Sequence, residues 1–432
     1  MKITLGLSLA LSGRYAPMGR QAEAALRLFV ADTNAGGGVR LGRAGAEVAL
    51  DCIDDQSNPA RCAEIYRTLV ADNRADLLLG PYSSNLAARA APIAETAARV
   101  FINHGGAADS LYDCGYKMIV GVPCPASEYL TGFVRLVASM KFWRKRMAII
   151  ATRTPFARAV AGGIERAAKD RVARRKGVRV RVKWNGKFDS IRTPDTLFPA
   201  LRRNRVNALV SVGSYEHDLA VMRTATIDQR LNIPVLACVA AGVARFRDDL
   251  GESAEGIVGP SQWEPDAPIS PSLGPKPREF AQRMLRDAGV AQPDYTAAQA
   301  YAAAMLAGAA IEAAGSLDQN RIRTAFSDLR ATTMLGEFAI EPSSGRQIGH
   351  RPMLVQWHGG HKVIIEEEAG EDTGTLEIPA GWRLIAAGIE RLRLNRGSDE
   401  DETKGDNGDE RAGENGDKPG KDRRQIDERK KD

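Results

Sequence analysis

Hydrophobic and polar positions follow two alternating patterns along the first 110 residues. Short runs rich in leucine and β-branched residues are each followed by a stretch whose apolar residues have helical spacing. The predicted strands are 3–9, 47–54, 77–80 and 100–103, and the predicted helices are 19–34, 59–72 and 85–98. Alternation of this kind is typical of βαβ units that build a mostly parallel sheet.

A second series of the same kind follows further along the chain. Its predicted strands are 147–151, 178–184, 208–212 and 234–238. Helices are then predicted at 277–288 and 296–314, and the runs 351–357 and 361–366 predict a hairpin around Gly359 and Gly360. Two consecutive series in one chain predict two sheets and therefore two lobes.

The composition changes abruptly near residue 396. From there to the end, charged residues, glycine and asparagine dominate, and Ile426 is the only large aliphatic residue. Such a segment buries too little apolar surface to offset the entropy of ordering it. We therefore predict a disordered charged tail at 396–432, preceded by an extension at 369–395 that contains a short amphipathic helix.

Charge and cysteine content exclude several classes of protein. The net charge is +6, but the arginines are scattered over predicted helices and form no strip interleaved with aromatic residues, so no nucleic-acid partner is expected. The densest basic stretch, 166–187, is interpreted as a solvated helix end that continues into an edge strand. The cysteines form no CxxC pair, which argues against a zinc or thioredoxin-like site. The sequence is compatible both with a disulfide between Cys114 and Cys124 and with buried free thiols.

No motif of enzymatic chemistry is present. The chain contains no phosphate-binding GxxxxGK[ST] loop, no GxSxG elbow and no HExxH pair. Asp54 and Asp55 precede Asn58 and Pro59, where a turn and a helix cap account for them. A metal pair formed by the histidines of the hairpin is a minority interpretation. We therefore expect no enzyme, no cofactor and no metal site.

The beginning of the chain superficially resembles a signal peptide. Its apolar run, however, passes directly into Ser12, Gly13 and a predicted helix without a small-residue cleavage site. We therefore expect a first core strand and no signal peptide. No run of about eighteen apolar residues exists that could span a bilayer.

Four loops after predicted strands occur in a recognisable order. They read LSGRYAPMG at 11–19 with DTNAGGG at 32–38, DDQSNP at 54–59, GPYSS at 80–84 and INHGGA at 102–107. In this order and spacing they resemble the type I periplasmic solute-binding proteins of the branched-chain amino acid and amide class (Leu/Ile/Val-binding-protein-like). The resemblance continues more loosely to Trp357.

The resemblance implies an α/β fold of two Rossmann-like lobes with a central cleft and three crossover segments. The crossovers are expected near 120–125, 258–263 and 336–340. Lobe 1 would comprise 1–121 and 262–336, and lobe 2 would comprise 122–261 and 337–368.

The resemblance also implies a ligand site in the cleft, where ligands lie beyond the carboxyl ends of strands. A ligand carboxylate would be held by the Ser84 hydroxyl and by N–H groups near Gly106 and Ala107, in loops that open helices. Alternatively, Ser83 and Ser84 simply cap a helix and Phe156 is ordinary packing. The expected ligand-binding residues are Tyr15, Met18, Tyr82, Ser83, Ser84, His104, Gly105, Gly106 and Ala107 of lobe 1, and Phe156, Ser214, Tyr215 and Val239 of lobe 2.

One departure from the family pattern concerns the charge of the ligand. Amino-acid-binding members carry an acidic residue for the ligand ammonium, where this sequence reads CVAAG at 238–242. An ammonium buried without a counter-charge is costly. A carboxylate, an amide or an aromatic acid without an amine would therefore fit better, unless Glu216 reaches the ligand.

The resemblance finally implies the function. A solute-binding protein of an ABC importer captures a small molecule and delivers it to permease and ATPase subunits, and it works in the periplasm. Because no signal peptide is predicted here, a cytoplasmic ligand sensor of the same fold is the alternative. An enzyme that uses the cleft is a third possibility with weak support.

Overall fold

The structure is a computed structural model. It describes residues 1–140, 144–186, 197–227, 231 and 233–365. The predicted extension helix and the charged tail lie outside the described residues.

The first sheet contains six strands, and we call the part of the chain around it lobe 1. The strand order is β2-β3-β1-β4-β5-β6, parallel throughout except for the β2–β3 pair. The strands are β1 (Lys2–Leu9), β2 (Val39–Leu41), β3 (Ala44–Asp54), β4 (Leu77–Leu79), β5 (Phe101–Asn103) and β6 (Ile119–Gly121). Its helices are α1 (Ala16–Ala35), α2 (Pro59–Ala71) and α3 (Ser84–Thr96), and later in the chain α10 (Pro277–Ala288), α11 (Tyr295–Ala314) and α12 (Gln319–Asp328).

The second sheet contains seven strands within the described residues, and we call the part of the chain around it lobe 2. The strand order is β15-β14-β11-β10-β9-β7-β8, with β14 and β15 antiparallel to their neighbours. The strands are β7 (Lys145–Ala151), β8 (Val178–Asn185), β9 (Ala208–Val212), β10 (Val235–Cys238), β11 (Val258–Ser261), β14 (Met353–His358) and β15 (His361–Ile365). The helices are α4 (Thr131–Ser139), α5 (Pro155–Lys169), α6 (Arg171–Arg175), α7 (Leu197–Arg203), α8 (Tyr215–Ile227) and α9 (Phe246–Leu250).

Sequence periodicity explains the central strands. In β1, Ile3, Leu5, Leu7 and Leu9 are buried, and β1 is flanked by β3 and β4. A strand enclosed by two parallel neighbours and covered by helices on both faces is expected to be almost wholly apolar. The predicted hairpin is confirmed, because β14 and β15 pair antiparallel up to His358 opposite His361.

The chain passes between the two sheets three times. It crosses between β6 and α4, between β11 and α10, and before β14. The third crossing lies later than predicted: residues 336–338 form β13 (Gly336–Phe338), which pairs with β12 (Ala331–Thr333), and the second sheet is reached only at Met353. The exact bounds of the two lobes stay a prediction.

Of the helices in the described part of the chain, none is by itself long and apolar enough to cross a membrane. Only together do the consecutive helices α11 and α12 have the length and apolar composition of a membrane span, and the two helices are bent by 107° relative to each other.

Candidate functional site

Two loops of lobe 1 meet at the carboxyl ends of neighbouring strands. Tyr82 follows β4 and Gly105 follows β5, and the two residues form a parallel β-bridge. A Cβ atom on Gly105 would lie 2.5 Å from the Pro81 carbonyl oxygen. The close approach of the two loops therefore requires glycine at position 105.

Hydrogen bonds between these loops correct part of the predicted anion site. The Ser84 Oγ accepts from the N–H groups of Ala107 at 3.1 Å and Ala108 at 3.0 Å, and Gly106 donates to Asn103 Oδ1 at 2.9 Å. The N–H groups of Gly106 and Ala107 already have acceptors, so they are not open to a ligand in this conformation. The loop after β5 also leads only into a 3-10 turn, Asp109–Leu111, and not into an α-helix. The hydroxyl hydrogen of Ser84 has no acceptor among the described residues.

Two polar atoms in these loops are buried without a hydrogen-bond partner among the described residues. They are Ser83 Oγ and His104 Nε2. Burial lowers the pKa of His104 from 6.5 to about 4, so the imidazole is neutral at pH 7. Buried polar atoms in native proteins almost always have a partner, and an orphaned one calls for an explanation such as a ligand or an ordered water.

Five aromatic residues surround these loops, and we call them the aromatic cluster: Tyr15, Tyr82, Tyr129, Phe156 and Tyr295. Tyr15 and Tyr82 pack edge-to-face with centroids 5.9 Å apart, and Tyr129 and Phe156 do so at 5.4 Å. The hydroxyl oxygens of Tyr82 and Tyr295 lie 3.2 Å apart. Tyr15, Tyr82 and Tyr295 belong to lobe 1, whereas Tyr129 and Phe156 follow the first crossing.

The phenols of Tyr82, Tyr129 and Tyr295 remain protonated at neutral pH. Burial raises the pKa of Tyr82 to about 12 and raises those of Tyr129 and Tyr295 well above their ordinary value. The Tyr82 phenol contributes to the raised pKa of both other tyrosines, so the rings of the two lobes lie close together. The cluster thus offers a neutral, largely apolar wall with hydroxyl groups that can donate or accept.

A cavity of about 220 Å³ lies between the lobes and is lined by residues of both. Drug-sized pockets begin at about 300 Å³, so this volume suits a smaller solute. Met18 and Tyr215, both predicted, line it. Glu216 also lines it, which brings the carboxylate that the sequence left in question to the cleft. The other lining residues are Arg14, Pro17, Gln21, Val243, Ala244, Arg245, Asp248, Gln292 and Asp294.

Buried charges connect the two lobes beside this cavity. Lys362 of β15 lies 2.6 Å from Glu264 and 3.6 Å from Asp294, which directly precedes α11. Its ammonium also donates to the Gly242 carbonyl oxygen at 3.0 Å. Asp294 further accepts from the N–H of Ala244 in lobe 2 at 2.9 Å. We call Lys362, Glu264 and Asp294 the interlobe triad.

The interlobe triad is almost fully removed from water. Desolvation on its own lowers the pKa of Lys362, but the carboxylates of Asp294 and Glu264 outweigh it and leave the pKa raised. Burial raises the pKa of Glu264 despite the nearby ammonium. The pairing therefore holds Lys362 charged, and both carboxylates depend on it.

The remaining predicted residues of lobe 2 contribute less directly. The Ser214 side chain is exposed and accepts from the N–H of His217 in the first turn of α8, as a helix cap does. Val239 is half-buried in a 3-10 turn, and Val243 and Ala244 line the cavity in its place. Tyr129, Tyr295 and the interlobe triad were not predicted.

A larger hollow lies elsewhere on the described part of the protein. It is an open groove of about 1120 Å³ between α2 and α3 on the outside of lobe 1. Its lining is mainly alanine, proline and arginine, and it contains no orphaned buried polar atom. We therefore place the candidate site in the cleft.

Two α/β lobes joined by three crossings, with a small cavity between the lobes, are the architecture of a bilobed solute-binding protein. Met18 and Tyr215 line that cavity, whereas the loops at 80–84 and 102–107 do not. The chain belongs to the periplasmic binding protein family, whose model matches residues 2–362. Members of this family are solute-binding proteins and not enzymes.

Solved structures agree on the fold. The leucine-binding protein LivK of Thermotoga maritima is 18% identical, with a TM-score of 0.69, over 84% of this chain and 97% of that one. The solute-binding protein of an ABC transporter from R. palustris, in complex with benzoate, is 17% identical, with a TM-score of 0.69, over 84% and 96%. LivJ of Streptococcus pneumoniae, in complex with isoleucine, is 18% identical, with a TM-score of 0.67, over 84% and 98%.

Proposed function

We propose that this protein captures a small organic carboxylate in the interlobe cleft and delivers it to an ABC-type importer. The observation that carries the proposal is the strand-end pair of loops. There, among the described residues, the Ser84 hydroxyl hydrogen has no acceptor, and the buried atoms Ser83 Oγ and His104 Nε2 have no hydrogen-bond partner. A ligand carboxylate would accept hydrogen bonds from these groups, and bonds to a charged group are the stronger ones.

The aromatic cluster supports a ligand with an apolar, flat body. Rings that pack edge-to-face leave faces and edges against which another ring can pack favourably. Among solved relatives, one from R. palustris holds benzoate and one from Rhodopseudomonas palustris BisB5 holds 3,4-dihydroxybenzoic acid. We propose the same class of ligand, an aromatic carboxylate, for this protein.

The placement of acidic side chains favours a ligand without an amine. Asp294 is already engaged by Lys362 and by the N–H of Ala244. Glu216 and Asp248 line the cavity, but both are exposed, so water screens them. A buried ammonium next to Ser83 and His104 would therefore lack a close counter-charge, which is costly.

Titration calorimetry with benzoate, 3,4-dihydroxybenzoate, leucine and isoleucine tests this proposal. We expect the two aromatic acids to bind and the two amino acids to bind more weakly or not at all. Ser84→Ala removes a hydrogen bond to a charged group, worth about 1.5–3 kcal/mol, so affinity should fall roughly 10- to 150-fold. Tight binding of leucine with none of the aromatic acids would overturn the ligand class.

Two further variants separate ligand contact from damage to the loop. Because Ser84 also accepts two N–H groups, its replacement could disturb the loop itself. Tyr82→Phe keeps the ring and removes only the hydroxyl, so a roughly fivefold loss is expected. Ser110→Ala, exposed on the 3-10 turn and without a side-chain hydrogen bond, should bind as the wild type does.

The importer role rests on the family, whose description indicates a site of action outside the cytoplasm. Permease and ATPase subunits would be its partners. Uptake of a labelled ligand by cells that lack this protein tests the role, and we expect uptake to fall. Unchanged uptake together with retained binding in vitro would instead favour the ligand sensor.

A further inference from the structure

Arginines from several segments converge at the end of lobe 2 that lies opposite the cleft. Arg144 and Arg146 are at the amino end of β7, Arg181 lies in the first half of β8, and Arg205 precedes β9. These three parallel strands are adjacent in the sheet, in the order β9-β7-β8. The cleft residues follow the carboxyl ends of the same strands. We call the four arginines, together with Arg179, Arg202 and Arg203, the basic face.

Hydrogen bonds fix the centre of the basic face. Arg146 pairs in register with Arg179 of β8. Its guanidinium donates to the Asn204 carbonyl oxygen at 2.8 Å, and its N–H donates to Asn207 Oδ1 at 2.7 Å, which holds it against the turn that carries Arg205. Desolvation lowers the pKa of Arg146, and the charges of Arg144, Arg181 and Arg205 lower it further. Three segments thus bring their cations within electrostatic reach of one another.

Acidic side chains of the described residues do not balance these cations. Glu165 and Asp170 are the only acidic residues between positions 144 and 186. Glu165 pairs with Lys183, and Asp170 caps α6 by accepting from the N–H of Val172 at 2.9 Å. In the described part of the chain, no carboxylate pairs with any arginine of the basic face. Such unbalanced charge destabilises a fold by self-repulsion, so it calls for an explanation.

Protection of a sheet edge explains only part of the basic face. The strand β8 is at the end of the sheet as described, and the alternating exposed cations Arg179, Arg181 and Lys183 would hinder pairing with another chain. Arg144, Arg202, Arg203 and Arg205 are exposed as well but lie outside that strand. Protection of the edge therefore does not account for their convergence.

We propose that the basic face rests on the phosphate headgroups of an anionic phospholipid membrane. The planar guanidinium group matches phosphate oxygens in two-pronged hydrogen bonds. Val172, 55% exposed on α6, adds an apolar side chain on the helix that directly precedes β8. This inference rests on the proposed function, because an importer's binding protein works beside a membrane-embedded permease.

Nucleic acid offers phosphates too, but the structure favours it less. Proteins that bind single strands add exposed aromatic side chains on which bases stack. Trp184, the one aromatic residue of β8, instead stacks on His217 with centroids 6.3 Å apart and an angle of 13° between the rings. No described residue of the basic face provides a stacking platform.

Vesicle flotation of the full chain tests the membrane proposal. Vesicles of phosphatidylcholine alone are compared with vesicles that contain about a third phosphatidylglycerol, comparable to strongly anionic leaflets. We expect binding only to the anionic vesicles and its loss in high salt, since salt screens exposed charges. The triple variant Arg144→Gln, Arg181→Gln, Arg205→Gln should partition roughly 100- to 200-fold more weakly, because each cation near the surface contributes a similar increment.

A matched control separates the basic face from net charge. Arg43→Gln, Arg67→Gln, Arg89→Gln removes three exposed, unpaired arginines of lobe 1 and should bind vesicles as the wild type does. No binding of the wild type, equal losses in the two triple variants, or tighter binding to a DNA duplex than to anionic vesicles would each overturn the proposal. Benzoate titration of the same preparations shows whether the cleft binds a ligand, so failure of the proposed function remains distinguishable.

Discussion

At the scale of single residues, His104 shows how burial alone sets the chemistry of the site. The side chain is 1% exposed at the end of β5, and its Nε2 has no hydrogen-bond partner. With a pKa near 4 it is a neutral donor or acceptor at physiological pH. A neutral imidazole suits a bound carboxylate as a hydrogen-bond donor without adding a buried charge.

The same burial predicts a pH dependence of stability. In the unfolded chain the His104 imidazole takes up a proton below pH 6.5, whereas in the folded protein it does so only near pH 4. The free energy of unfolding that depends on the neutral imidazole is therefore fully present above pH 6.5. About 3 kcal/mol of it is lost as the pH falls from 6.5 to 4. Urea denaturation at several pH values should show His104→Gln losing less stability than the wild type over this range.

The difference in stability between the wild type and His104→Gln reports on His104 alone, because every other titrating group is present in both proteins. His361→Gln, exposed on β15, serves as the control and should follow the wild type. If the wild type and His104→Gln lost stability in parallel down to pH 4, His104 would not be a buried neutral group.

Residues of the site differ in how far the sequence could predict them. Ser84 and the glycines after β5 belong to short loops whose order along the chain identifies them. Tyr295 and Lys362 carry no such local signal, because an isolated tyrosine or lysine is compatible with many positions. Only the fold brings Lys362 to Asp294, and the two are far apart in the chain.

At the scale of elements, the strands and helices that hydrophobic periodicity predicted within the described residues agree with the structure to within a few residues, whereas long helices such as α5 and α8 were given no bounds. For example, 59–72 was predicted and α2 is Pro59–Ala71, where Asn58 caps the first turn as expected. Short strands such as β2 and β12, three residues each, were not predicted. Unlike the equally short β4 and β5, which are buried throughout, β2 and β12 form no continuous apolar run, so pairing with a neighbour decides their conformation.

Two neighbouring glycines in α5 test how closely this helix packs on the first crossing. A Cβ on Gly163 would lie 1.8 Å from the Ser127 carbonyl oxygen, whereas one on Gly162 would meet only the tip of Arg166 at 3.6 Å. Gly163→Ala should therefore lower the free energy of unfolding by about 1–3 kcal/mol, the usual cost of overpacking. Gly162→Ala should raise it by up to about 1 kcal/mol through helix propensity.

Thermal and urea denaturation of the two variants measure this contrast. Each glycine serves as the control for the other, since the helix, the substitution and the added methyl group are the same. Equal effects of the two substitutions would show that α5 does not press on residues 126–128.

At the scale of the whole molecule, the two lobes are held together by charge as well as by the aromatic cluster. Glu264 and Asp294 are 5% and 4% exposed, and both depend on the ammonium of Lys362. A buried charge that loses its partner typically costs about 3–5 kcal/mol. Separation of the lobes would return these carboxylates to water, so the interlobe triad couples ionisation to closure.

Lys362→Met should therefore shift the protein toward an open arrangement. We expect a larger radius of gyration in X-ray scattering and a weaker apparent affinity for the cleft ligand, although Lys362 does not line the cavity. The apparent dissociation constant rises in inverse proportion to the population of the closed state. Lys276→Met, an exposed lysine before α10, should change neither quantity.

Removal of the other two charges should reverse the effect. In the triple variant Lys362→Met, Glu264→Gln, Asp294→Asn no buried carboxylate remains to be hydrated, so scattering should again show the compact form. Recovery of compactness without recovery of affinity would mean that Asp294 also contacts the ligand, since it lines the cavity. If Lys362→Met were as compact as the wild type, the triad would be a static element of the fold and closure would depend on the aromatic cluster alone.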